Sequence, residues 1–133
     1  MDYKLKENMK LKHSLTALVL YPFIIPAVIM DISLELYHNI GFRLCNLDLV
    51  DRSKYIKMDR KKLRYLNKIE KINCTYCGYT DGLLNYATEI AGRSEIYWCG
   101  IKHEDDESFL TPRHHKDFPK FNNEQEFLKK YNK

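Results

Sequence analysis

The chain has 133 residues, a net charge of +4 at neutral pH, 44% hydrophobic residues and 30% charged residues. That is one domain's worth of sequence with an ordinary apolar content, which excludes wholesale disorder and leaves little room for a second large core. Four cysteines are too few for a disulfide scaffold of this size, and their spacing points to metal ligation in a reducing compartment.

The basic residues are clustered. Lys4, Lys6, Lys10 and Lys12 open the chain, and a second cluster runs from Arg52 to Lys71. Either cluster suits anionic lipid head groups or nucleic acid, since both partners present phosphates. Between them, Ser14 to Met30 reads SLTALVLYPFIIPAVIM, seventeen residues without a charge. A bilayer span needs about 20 apolar residues, so the segment is at the short limit. Leu15, Leu18, Leu20, Pro22, Phe23, Ile24, Ile25, Pro26, Val28 and Ile29 are the expected membrane-associating residues, because no polar face recurs at helical spacing. No small-x-small cleavage site follows, and DISLELYHNIGF continues as helix, so a signal peptide is disfavoured. Pro22 and Pro26 should kink or break the helix. Lysines precede the segment, and Arg43, Arg52, Lys54 and Lys57 follow it. Positive charge on both flanks fits a kinked segment that enters and leaves on the cytoplasmic face better than a simple span. A core helix of a soluble cytoplasmic protein is the alternative.

Gly41 is the expected stop of this helical stretch, and residues 42 to 58 read as an irregular connection. Asp59 then reads as the N-cap of an amphipathic helix, RKKLRYLNKIEKI, with Leu63, Leu66, Ile69 and Ile72 on one face. A second helix is expected after Asp81-Gly82, with Leu83, Leu84, Tyr86, Ala87, Ile90 and Ala91 as its stripe. Glu89 and Arg93 stand at i,i+4 on it. Gly92 marks a weak point or a close approach. Pro112 and Pro119 interrupt the charged tail, and a short helix is expected near NEQEFLKKY. No stretch alternates well enough for a sheet, so the fold class is mainly α. Residues 1–41 form a basic N-terminus and apolar helix, 42–103 a helical Cys/His domain, and 104–133 a charged tail.

Cys74 and Cys77 form a C-x2-C pair, and after twenty-one residues Cys99 and His103 follow as C-x3-H. Four such ligands fill a tetrahedral zinc shell. Cys74, Cys77, Cys99 and His103 are therefore the expected metal site, holding one zinc in a structural role, with iron as the other candidate metal. The site closes only if the chain folds back between Tyr79 and Cys99, because a straight helix separates its ends too far. His114 and His115 are alternative fourth ligands, although adjacent histidines after a proline are more often solvated. A redox C-x2-C pair is the competing use, but the βαβ context such pairs favour is missing. Cys45, among Phe42, Leu44 and Leu47, reads as a plain buried thiol. An enzyme would use the metal or the thiols Cys74, Cys77 and Cys99, with Glu89, Arg93, Glu95 and Trp98 as a possible pocket. No phosphate loop, H-E-x-x-H or Ser/His/Asp arrangement is present.

The stretch from Asp59 to His103, DRKKLRYLNKIEKINCTYCGYTDGLLNYATEIAGRSEIYWCGIKH, resembles a family of small, uncharacterised bacterial proteins. Their signature reads D-R-x-x-L-x-Y-L-N-x-x-E-K-x-N-C-x-Y-C-x-Y-x-N-G, followed by E-I-A-x-R-T-E-x-Y-W-C-P-I-K-H. It falls here on Asp59, Arg60, Tyr65, Asn67, Glu70, Lys71, Cys74, Cys77, Glu89, Arg93, Glu95, Trp98, Cys99, Lys102 and His103. Asp81 stands for asparagine, Ser94 for threonine, Ile96 for glutamine and Gly100 for proline. The resemblance covers about a third of the chain and implies no activity. The expected role is a zinc-stapled accessory or interaction protein on the cytoplasmic face of a membrane, with lipid and a protein as partners. Nucleic acid is the less favoured partner.

Overall fold

Pro22 and Pro26 mark where the uncharged segment divides into two helices. In the computed structural model, which describes residues 7–131, α1 runs Glu7–Leu20 and α2 runs Ile24–Leu44. A tight 3-10 turn, Tyr21–Phe23, joins them. Pro22 sits in that turn, and Pro26 falls in the first turn of α2, where a missing N–H leaves no helical bond unmade. Lys4 and Lys6 of the first basic cluster lie outside the described residues.

Gly41 does not stop α2. The helix continues to Leu44 and ends on Asn46, whose φ of 52° is left-handed. The Leu47 N–H donates to the Phe42 carbonyl at 2.8 Å and the Asn46 N–H to the Arg43 carbonyl, a Schellman closure that occupies the last free carbonyls. Cys45 is half-buried at this cap.

The largest departure from the sequence reading concerns the segment around the C-x2-C pair. Residues Arg60–Lys62 form only a 3-10 turn, and Asp59 makes no capping hydrogen bond there. The helix starts instead at Lys68 and runs unbroken to Trp98 as α3, 31 residues long. Its start is a capping box: Asn67 Oδ1 accepts the Glu70 N–H, and Glu70 accepts the Asn67 N–H, both at 2.9 Å. Ile69 and Ile72, expected on a packed face, are exposed.

Asp81-Gly82, read from sequence as a turn, lies inside α3. Gly82 serves close approach, since a Cβ there would stand 2.7 Å from the Tyr55 carbonyl oxygen. A Cβ on Gly78 would likewise press on the Lys57 carbonyl at 3.0 Å. The two glycines let the irregular 55–57 segment lie directly on the helix. Alanine is the better helix former by about 1 kcal/mol, yet Gly82→Ala should destabilise the protein by about 1–3 kcal/mol through overpacking against backbone. Thermal unfolding monitored by circular dichroism checks this; an unchanged or raised Tm refutes it. The final helix, α4, spans Glu124–Tyr131. There is no strand among the described residues.

The chain falls into two compact units, Met1–Ala87 and Thr88–Lys133. In the first, Phe42, Leu83 and Tyr86 are fully buried, joined by Ala27 and Val50. A polar network threads this core. The Val50 N–H donates to His38 Nε2 at 2.8 Å, so the neutral ring carries its proton on Nδ1, which faces the Tyr86 oxygen at 3.0 Å. Arg52 bridges Asp31 and Glu35, and the Tyr79 hydroxyl donates to Asp31 at 2.7 Å. Burial, with these carboxylates adding to it, pushes the Tyr79 and Tyr86 phenols up to about 12.

Candidate metal centre

From Thr88 onward, α3 carries Ile90 inward and Glu95 one turn before its end. The helix closes as the Cys99 N–H donates to the Glu95 carbonyl at 2.8 Å. The chain then reverses. The Lys102 N–H donates to the Pro119 carbonyl at 2.9 Å, and the Tyr131 hydroxyl of α4 donates to the Gly100 carbonyl at 2.8 Å. The first bond holds the 100–103 segment against the 115–119 segment and the second ties it to α4, so that His103 comes back toward the end of α3.

The third contributor is a 3-10 turn, Arg113–Asp117, entered through Pro112. It places His114 over Gly92, where a Cβ would stand 3.1 Å from the imidazole Nδ1. It also turns His115 inward, 1% exposed, stacked on Phe118 with ring centroids 4.8 Å apart.

Three donors converge as a result. One carboxylate oxygen of Glu95 and one ring nitrogen each of His103 and His115 all lie within 4.8 Å of one another. Two zinc–ligand bonds of about 2.0 Å laid end to end span about 4 Å, so small side-chain adjustments bring all three onto one ion. His115 Nε2 lies 2.8 Å from Glu95 Oε1, but misaligned for a hydrogen bond, and neither ring nitrogen of His115 makes one. Buried polar atoms are rarely left without a hydrogen bond, and a bound cation would supply an imidazole nitrogen with a partner. The donor set and the closeness of its three ligand atoms fit a divalent metal.

Glu95 is held from its far side as well. His114 Nε2 lies 2.6 Å from Glu95 Oε2. That hydrogen bond, with the nearness of His115 adding to it, holds the Glu95 carboxyl below the usual glutamate range. The carboxylate is thus charged and oriented, as a metal ligand needs to be.

The expected C-x2-C…C-x3-H site is corrected by this geometry. Cys74 and Cys77 are on consecutive turns inside α3, and Cys99 is the residue after its last. Twenty-two residues at 1.5 Å each put about 33 Å of straight helix between Cys77 and Cys99. The fold-back between Tyr79 and Cys99 that such a site requires does not occur, and the helix continues through Gly92, beside which His114 packs. All four cysteines are free. Of the four expected ligands, His103 alone is in the metal cluster.

The other predicted site residues divide in the same way. Glu95 is a cluster member. Glu89 and Arg93 form an i,i+4 ion pair at 2.8 Å, and Trp98 is exposed, edge-on to Tyr97. His115 was expected to be solvated and is instead the most buried of the cluster. Its signal was the Pro-Arg-His-His run itself, since a proline-led tight turn can face one of two adjacent histidines inward.

The second unit is therefore a small helical unit that brings a carboxylate and two imidazoles close enough to hold a metal ion. No protein-family model, curated protein or solved structure matches the chain.

Proposed function

We propose that this protein is a membrane-associated, cytoplasmic-face protein whose C-terminal unit binds one zinc ion through Glu95, His103 and His115. The observation that carries the metal reading is the fully buried His115, whose Nε2 faces Glu95 Oε1 at 2.8 Å while the His103 ring converges on the same two groups. Two imidazoles and a carboxylate suit zinc, and also the iron of facial-triad sites. Three protein ligands leave a tetrahedral ion one open position, a feature of reactive rather than closed structural sites. That open position favours a second reading, in which the metal binds or polarises a small ligand. His114 would then act through Glu95, as a positioning residue.

The membrane half rests on one apolar helical stretch, Leu11–Leu44, long enough to cross a bilayer. Only 6% of its most apolar window is covered by the rest of the chain, whereas the core helix of a soluble protein is mostly covered. Leu18 and Val19 are 72% and 78% exposed, an arrangement that suits lipid better than water. The interruption at Tyr21–Phe23 supports entry and exit on one face, with basic residues on both flanks. A protein partner, in an accessory role, accords with the absence of any recognisable catalytic motif in the sequence.

The test is metal analysis of the full chain, purified under reducing conditions without a metal-affinity step and fractionated into membrane and soluble pools. One zinc per chain in the membrane pool is expected. Protein without zinc or iron that also fails to take up added zinc would overturn the metal reading.

A further inference from the structure

A cavity of about 480 Å³ opens in the first unit, between the break in the apolar segment and the first half of α3. Tyr21 and Ile24 line one side, Ile72, Thr75, Tyr76 and Tyr79 the other, with Met58 and Lys71 completing the wall. This volume is in the range of small-molecule and cofactor sites.

The wall has several hydroxyls, but each is already engaged elsewhere. The Tyr76 hydroxyl donates to the Leu20 carbonyl at 2.8 Å, the Tyr79 hydroxyl to Asp31 at 2.7 Å and the Thr75 hydroxyl to the Lys71 carbonyl at 2.8 Å. Tyr21 is bonded to Asn73. The cavity therefore offers carbon to an occupant and has no free hydroxyl to recognise a polar one. Lys71 is the exception. It is the single charged residue of the wall, and among the described residues it makes no ion pair.

An apolar slot with a lysine as the one charged residue of its wall fits an amphiphile with an anionic head. The neighbouring chain has the same sign. Lys57, Arg60, Lys61, Lys62, Arg64, Lys68 and Lys71 are opposed only by Asp59 and Glu70 between positions 57 and 71, a density suited to anionic lipid. We propose that this cavity seats one acyl chain of an anionic phospholipid of the bilayer, with its phosphate at Lys71. The site rests on the membrane-association reading above, and would anchor α3 to the lipid that α1 and α2 enter.

The test reconstitutes the full chain into phosphatidylcholine vesicles containing phosphatidylglycerol with a photoreactive diazirine in its acyl chain. Labelled peptides are mapped by mass spectrometry after flotation. Label is expected on the Ile72–Tyr79 region and, independently, on the Leu15–Val19 region, which lies outside the cavity wall. Thr75→Trp, which fills the slot, should abolish the first and spare the second. Lys71→Gln, at the rim, should reduce slot labelling about fivefold, one lysine's contribution at an anionic surface. Replacing the probe by diazirine phosphatidylcholine should give the same fall. Label confined to the Leu15–Val19 region, or slot label insensitive to both substitutions and to head-group charge, overturns the proposal while leaving membrane association intact. Failure to float, with no label anywhere, removes the membrane reading and this site with it.

Discussion

His115→Ala should weaken zinc binding by about a hundredfold or more, since loss of an outer-sphere partner alone costs 10–100-fold and this residue is an inner ligand. His103→Ala should do the same. The pair matters because His115 is buried against Phe118, so its truncation also leaves a cavity, whereas His103 is exposed and its removal leaves no buried void, only the loss of ring contacts with Phe109 and His115. Cys74→Ser, Cys77→Ser and Cys99→Ser should each leave affinity and stoichiometry unchanged. Competition titration against a chromophoric chelator, with helicity checked by circular dichroism, reads all five. If the cysteine variants lose the metal and the histidine variants keep it, the Glu95–His103–His115 assignment is wrong. Chelator treatment of the wild type should destabilise the second unit, because metal bound only by the folded state contributes folding free energy.

The second large effect concerns the apolar segment. An arginine near the centre of a membrane-embedded helix costs about 2.5–3.5 kcal/mol, equivalent to roughly a hundredfold in partitioning. Val19→Arg and Ile25→Arg, both at exposed positions beside the 3-10 turn, should each shift the protein from the floated to the soluble fraction by that order. Leu110→Arg changes a more exposed leucine, 92% accessible, in the second unit and should leave flotation unaltered. Equal flotation of all three, or no flotation of the wild type, would mean that the exposed apolar face is covered by something other than lipid. The comparison separates membrane insertion from general surface hydrophobicity.

Much of the fold was legible because it depends on local chemistry. The helical class follows from the absence of alternation, and the interruption at Tyr21–Phe23 from two prolines whose effect extends one turn. The start of α3 is written in the Asn67–Glu70 capping box, a stronger local signal than Asp59, which finds no N–H to cap. Gly82 was misread because a glycine after an aspartate serves a turn and a close chain crossing equally well. The Tyr55 carbonyl pressed on that position decides between them, and Tyr55 is remote in sequence.

The metal site divides along the same line. Sequence by itself determined that ligand-type residues are concentrated between Cys74 and His115, and it marked Glu95 and His103 individually. It could not choose among them, because four ligands at short spacings look like a site whether or not their backbone brings them together. A continuous α3 holds the cysteines apart along its axis. The Lys102–Pro119 and Tyr131–Gly100 hydrogen bonds, with the turn at Arg113–Asp117, gather Glu95, His103 and His115 instead. The reason is physical: a helix fixes separation through its rise per residue, and only a chain reversal, set by contacts distant in sequence, can cancel it.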